Sequence, residues 1–208
     1  FCTLLSVLKK NHTHRQTMGP KDVHPVSFSW VRSSALYTLA GSNFTYNAGG
    51  LEQYRPVVGD LAMRPNTGKY FYEFQVNCDN TRVGICTEHV SLDGEMGKLP
   101  ECWSINLQTG AVEVGGQEVK RLWRLVTPVS GGTCGFVYDS DKGTLQLYFN
   151  TDFQGTAVTE AMNVRGQTVY PVAGVAGIEA NNRNIGFGKK GAFVTAEPQP
   201  YRTLVFPQ

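Results

Sequence analysis

No stretch of this sequence reaches the roughly 18 consecutive apolar residues that a membrane-crossing helix needs, so no transmembrane segment is expected. Cysteine is sparse and odd in number: Cys2, Cys78, Cys86, Cys102 and Cys134 include no C-x-x-C pair. That argues against a disulfide framework and for a reducing compartment with free, mostly buried thiols. The four histidines, His12, His14, His24 and His89, do not cluster with cysteines or carboxylates at ligand spacing, and no metal site is expected. Charge is scarce too. At 17% charged residues and a net charge of +2, the chain lacks the basic surplus of a nucleic-acid binder. No G-x-S-x-G turn occurs, and no cysteine–histidine pairing follows from spacing. Asp93 and Glu95 come nearest to a pair of catalytic acids, in a stretch that reads as loop. The expectation is a protein that is not an enzyme.

What remains is glycine, aromatics and short apolar alternations. With 23 glycines, 11% aromatic and 41% hydrophobic residues, the chain can fill a core between sheets joined by many turns. Its 208 residues fit one all-β sandwich. Residues 134–138 and 144–149 are apolar runs flanking Asp-Ser-Asp-Lys-Gly at 139–143, which predicts an antiparallel hairpin. Leu145, Leu147 and Phe149 share one face of its second strand, with Gln146 and Tyr148 on the other. The strongest single strand is 69–76, with Tyr70, Tyr72, Phe74 and Val76 on one face.

Further strands are predicted at 27–31, 35–39, 43–46, 82–86, 102–107, 111–114, 184–187 and 192–194, and at 168–175, broken by its proline. The segment 55–60, entered through Pro56, reads as irregular or as an edge, and 152–155 as a turn. Trp103 is expected in the core; Trp123, between two arginines, is read as structural.

Residues 1–25 form a separate arm. Phe1, Leu4, Leu5 and Leu8 have the spacing of a short amphipathic helix. Four of the 19 basic residues stand in the first 21 with no acid, which leaves 15 basic against 17 acidic residues for the rest. The arm suits a mitochondrial as well as a cytoplasmic address, inside the cell in either case. The first residue is Phe, so the chain reads as a fragment or a processed protein.

Two local patterns look chemical. Gly186 to Gly191 spells G-x-G-x-x-G, but a dinucleotide site needs a helix after the glycines and an acid about 20 residues on; Ala-Phe-Val-Thr and prolines follow instead. No cofactor is expected. Asp139 and Asp141 resemble the start of a calcium loop, with the glycine one place early and Asn150 at the twelfth position, so a hairpin turn is the expectation.

Six patches in register resemble the SPRY domain family, from about Val26 to Phe206. Gly-Lys-Tyr-Phe-Tyr-Glu-Phe at 68–74 is similar to its G-x-x-Y-F-E-V strand, Val-Gly-Ile-Cys-Thr at 83–87 to V-G-V/I-A-T, and Cys-Trp-Ser-Ile at 102–105 to s-W-s-L/I. The stretch 131–150 resembles its G-T-L/I-x-F/Y hairpin, 169–172 its L-Y-P-A, and 184–188 its closing v-N-F-G strand. The layout is closest to small stand-alone members. The resemblance implies a bent sandwich of two antiparallel sheets of the concanavalin-like class over 26–208. It also implies a non-enzymatic, monomeric module that grips a peptide or protein through loops at one end.

In the SPRY/SOCS-box relatives an R-R-P-V segment, a turn before V-G-V-A-T and a loop after the L-Y-P strand form a pocket. By that resemblance the partner-binding residues are Arg55, Pro56 and Val57, Asn80 and Thr81, and Gly177, Ile178 and Glu179; the polar, glycine-rich loop 91–101, with Asp93 and Met96, is expected to add contacts beside them. Arg55 would donate to a carboxylate or carbonyl, and Val57 and Ile178 would form apolar walls. The third piece departs from the relatives: Ala176, Gly177 and Ile178 stand where they place Val-Trp-Gly, so an indole's contact area is lost. Two other readings follow from the sandwich itself, a carbohydrate-binding module and, more remotely, a hydrolase.

Overall fold

The computed structural model describes residues 23–25, 28–47, 53–76, 80–122, 132–176 and 193–196. The predicted helix in the arm, Trp123, the strand at 184–187 and the residues Gly177, Ile178 and Glu179 lie outside them. In chain order the strands are β1 (Val23–Pro25), β2 (Trp30–Ser33), β3 (Tyr37–Ala40), β4 (Asn43–Tyr46), β5 (Val57–Gly59), β6 (Lys69–Val76), β7 (Thr81–Thr87) and β8 (Cys102–Asn106). There follow β9 (Ala111–Val114), β10 (Gln117–Arg121), β11 (Gly132–Asp139), β12 (Thr144–Phe149), β13 (Asp152–Val158), β14 (Val169–Val175) and β15 (Phe193–Ala196). Helical structure among the described residues is limited to two single 3-10 turns, Met96–Lys98 and Glu160–Met162.

The strands form two sheets. One runs β13-β12-β11-β6-β15-β4-β3, and the other β10-β9-β8-β7-β14-β5-β2. Among the described residues pairing is antiparallel except at one place: β1 adds in parallel to the first half of β6, Val23 opposite Lys69, while β15 pairs with its second half. The last residues of the basic arm thus join the sheet.

Period-two patterning explains the core. On β6, Tyr72, Phe74 and Val76 point between the sheets, where Phe136 of β11 and Leu145 and Leu147 of β12 meet them. Phe28, Trp30, Tyr37, Phe44 and Tyr46 complete an aromatic layer of mostly edge-to-face pairs, such as Phe28–Trp30 at 4.9 Å and Trp30–Phe44 at 5.1 Å. Trp103 lies in this core, as its strand position predicts. The hairpin forms with the expected register, Tyr138 opposite Leu145. Its turn is held by Asp139, whose Oδ1 accepts from the backbone N–H groups of Asp141 and Lys142 at 3.1 Å each; the carboxylate caps a turn. Tyr148, on the face opposite Leu145 and Leu147 as alternation predicts, is buried with Phe71 and Val137 on the outer side of the sheet, 5.3 Å from the ring of Phe153.

Three expectations need correction. Residues 57–59 are not an edge: β5 is an inner strand between β14 and β2, with Pro56 standing just before it, where no ladder donor is lost. Residues 152–155 are not a turn but the start of β13, a strand whose register shifts twice against β12 and whose pattern is correspondingly irregular. Pro171 does not break β14. Met63 and Val169 exchange both backbone hydrogen bonds, at 2.8 and 3.1 Å, so the donors on that side of β14 come from odd-numbered residues. Pro171 falls between Met63 and the short ladder to β5 at Val172 and Ala173, where its missing N–H is not needed.

The described cysteines, Cys86, Cys102 and Cys134, are free and buried. Burial pushes the Cys86 thiol from 9.0 up to about 12 and raises Cys102 and Cys134 as well. The folded chain keeps these protons at a pH where the unfolded chain has released them. Their stabilising contribution is therefore whole below about pH 9 and is lost as pH rises from there towards 12. Urea titrations between pH 8.5 and 10.5 should show stability falling with pH, and Cys134→Val should reduce that slope by up to about 1.4 kcal/mol per pH unit.

Candidate functional site

At one end of the seven-stranded sheet, β7 begins, β14 ends and β5 begins: Thr81 is opposite Val175, and Val57 opposite Ala173. Three chain segments converge there. Asn80 is the clamp. Its Nδ2 donates to the Ala176 carbonyl at 3.0 Å, the Ala176 N–H donates to the Asn80 carbonyl at 3.3 Å, and its Oδ1 accepts from the Tyr54 hydroxyl. Gly174 lets the 53–56 segment lie against β14; a Cβ there would stand 2.5 Å from the Arg55 carbonyl and 2.7 Å from the Met96 sulfur.

The outer face of this sheet is not open. Alternation puts Val83 and Ile85 of β7 in the core and leaves Arg82, Gly84 and Cys86 on the outside. Residues 88–101 cover them. Met96 is fully buried in a second apolar cluster with Val58, Cys86, Val90, Cys102 and Val172, edged by Tyr54, Leu92, Leu99 and Tyr170. Backbone bonds tie this cover down: Met96 N–H to the Tyr54 carbonyl, 2.8 Å, and Gly116 N–H to the Gly97 carbonyl, 2.8 Å.

Arg82 runs beneath the cover. Its guanidinium lies 4.7 Å from the centroid of the Tyr54 ring and pairs with Glu113 of β9, against the backbone of Gly97. Burial pulls it down from the usual arginine value, opposed by its electrostatic interactions with Tyr54, Glu95 and Cys102. Above it, Arg55 Nη1 donates to Asp93 Oδ1 at 2.8 Å and Nη2 to Gln53 Oε1 at 3.3 Å, with the side chains of Arg55 and Asp93 20% and 82% exposed. Glu95 pairs with Lys98 at 2.7 Å. Asp93 and Glu95, the two acids a hydrolase would need, are thus each engaged with a cation. The surface carries a supported arginine, an exposed acid and a rigid floor, a geometry for recognising a polar group at a fixed angle.

The SPRY domain family model matches residues 69–189, more than half of the chain. The chain belongs to the SPRY domain family. Solved structures show the same fold. The TRIM65 PSpry domain matches at 14% identity and a TM-score of 0.60, covering 86% of this chain and 94% of that one. A human SPRY domain matches at 13% identity and 0.58, covering 80% and 98%. The SPRY domain of human HERC1 matches at 18% identity and 0.55, covering 77% and 91%. No curated protein matches. Among the described residues no helix is long and apolar enough to cross a membrane.

In this SPRY domain the structure brings Arg55, Asn80, Thr81, Asp93 and Met96 together, although they come from three separate stretches. It does not expose them alike. Val57, expected as an apolar wall, faces the main core and is fully buried, as period two dictates once Val58 faces outward. Met96 is the plug of the covering loop rather than a contact, Pro56 and Thr81 are buried, and the Asn80 amide is committed within the chain. Arg55 and Asp93 keep exposed atoms.

Four residues of the site escaped the sequence reading: Gln53, Tyr54, Arg82 and Glu113. A signal existed for two of them. Arg82 and Glu113 are charged residues at outward positions of otherwise apolar strands, and an outward charge on a covered face needs a partner.

Proposed function

We propose that this SPRY domain is a non-enzymatic interaction module whose partner, a peptide or protein, docks at the end of the seven-stranded sheet. Domains of this family are generally protein–protein interaction modules. Arg55 provides the directional contact, Asp93 frames it, and Gly177, Ile178 and Glu179, which follow Ala176 in the chain, supply the third side. Buried Pro56, Val57, Asn80, Thr81 and Met96 hold these groups in place.

The observation that carries this reading is the Arg55–Asp93 pair on a braced floor. An ion pair this exposed is worth about 0–1 kcal/mol, so a partner's carboxylate or carbonyl can replace Asp93 at little cost. Arg55, held by Gln53, is already oriented to receive it, which lowers the ordering cost of binding.

The test is selection of binders from a displayed peptide library against the whole chain, followed by affinity measurements on variants. Arg55→Ala should weaken selected binders at least tenfold, and Ile178→Asp should do the same. Lys142→Ala should leave them unchanged: it lies in the hairpin turn beside the start of β6, Asp139 opposite Lys69, whereas Asn80 follows the end of that strand. Binders that tolerate Arg55→Ala and Ile178→Asp as well as they tolerate Lys142→Ala would refute this placement.

A further inference from the structure

Cys86 of β7 stands directly opposite Cys102 of β8. The flanking hydrogen bonds define what kind of pair this is. Thr87 N–H donates to the Glu101 carbonyl at 3.0 Å and Leu107 N–H to the Thr81 carbonyl at 3.1 Å, so the odd-numbered residues of β7 are the hydrogen-bonded partners. Cys86–Cys102 is therefore a non-hydrogen-bonded pair, the type whose Cα atoms approach to about 4.5 Å and whose side chains are closest. A disulfide spans Cα separations of about 4.4–6.8 Å. Both side chains leave the sheet on the same outer face, both are fully buried, and both belong to the cluster under Met96. Each is a free thiol.

We propose that Cys86 and Cys102 are a cross-strand dithiol that closes to a disulfide, a reversible modification site beneath the 88–101 cover. The oxidant is a low-molecular-weight disulfide. One cysteine, as thiolate, attacks it, forming a mixed disulfide and releasing one small thiol. The second cysteine gives up its proton and attacks the protein sulfur of that mixed disulfide, releasing the second small thiol. One small disulfide is reduced to two thiols while two protein thiols become one bond.

Burial under Met96 controls the rate. It keeps both thiols protonated and out of reach, so exchange proceeds through openings of the cover. Cys134 is the internal control: it lies on β11, facing the main core of the other sheet, opposite Phe149 and Phe74. A bond between directly opposite strand residues sits at the short limit of the allowed separations, which makes it strained and readily reduced.

The experiment uses the whole chain with Cys2 and Cys78 replaced by serine, incubated with glutathione disulfide at pH 8 under native conditions and digested without reduction. The expected product is a Cys86–Cys102 cross-linked peptide, reversed by dithiothreitol, with Cys134 unmodified. Met96→Ala, which thins the cover, should speed its formation several-fold at least. In Cys102→Ala the same treatment should leave a persistent glutathione adduct on Cys86. The proposal is overturned if the Met96→Ala chain, still folded by circular dichroism, yields no Cys86–Cys102 peptide. It is equally overturned if lasting glutathione adducts accumulate on both cysteines in place of the bond. Neither readout depends on the identity of a binding partner.

Discussion

Phe136→Ala should lower the free energy of unfolding by about 3–5 kcal/mol, read as a fall in the urea midpoint at unchanged slope. Phe136 has no solvent exposure and sits where the two sheets meet. It is paired in register with Tyr72 on one side and Leu147 on the other, and its ring lies 4.9 Å from that of Tyr72 and 5.2 Å from that of Phe74. Truncation removes the transfer energy of a benzyl group and leaves a cavity that two neighbouring sheets cannot close, because each is held by its own ladder. Phe136→Leu keeps most of the apolar volume and should cost less than half as much. A loss of under 1 kcal/mol for the alanine variant would mean the sheets collapse onto the gap, contrary to a rigid sandwich.

Arg82→Met should destabilise the domain by about 2–3 kcal/mol and loosen the 88–101 cover. Methionine keeps the apolar stem but removes the charge shared by Glu113 and the Tyr54 ring. Breaking a fully buried pair costs roughly 3–5 kcal/mol; the Glu113 side chain is 22% exposed and can regain some hydration, which sets the expectation at the lower value. A cation–π contact of this kind adds about 1 kcal/mol.

Glu113→Gln added to Arg82→Met should recover part of the loss, since the remaining carboxylate no longer needs a counter-charge. The measurements are a double-mutant cycle in urea and limited proteolysis within 88–101, where the single Arg82 variant should be cut sooner than the double. If the single variant costs less than about 0.5 kcal/mol, Arg82 is not what holds the cover. Arg55 should also lose its orientation in this variant, because its neighbour Tyr54 packs its ring on the Arg82 guanidinium and, through its carbonyl, accepts from the Met96 N–H of the cover.

Much of the scaffold was legible before any coordinates. The hairpin 139–143, the inward set Tyr72, Phe74, Leu145 and Leu147, and the core position of Trp103 follow from alternation and turn chemistry, which are properties of neighbouring residues. Where alternation fails, the reading failed with it. Val57–Gly59 is three residues long and enters through Pro56, so nothing local marks it as an inner strand. β13 is irregular because its register shifts against β12.

The candidate site was legible only as a set of places. Resemblance located Arg55 and Asn80, the loop 91–101 was read as a further source of contacts, and the antiparallel order β5-β14-β7 brings the segments of Arg55 and Asn80 to one end of the sheet. Which side chains face out there depends on the cover. Met96 reads as a loop residue but is a plug, because the outer face of β7 and β14 carries Cys86 and Val172 and must be shielded from water.

The sequence by itself determined an all-β chain, its main hairpin, its aromatic core and its kinship with the SPRY domains, because period two and turn residues act between near neighbours. Tertiary structure alone decided that Arg55 meets Asp93, that Arg82 lies between Tyr54 and Glu113, and that Cys86 faces Cys102. Those pairs join residues far apart in the chain, and the free energy of burying a charge or a thiol depends on what the fold lays over it.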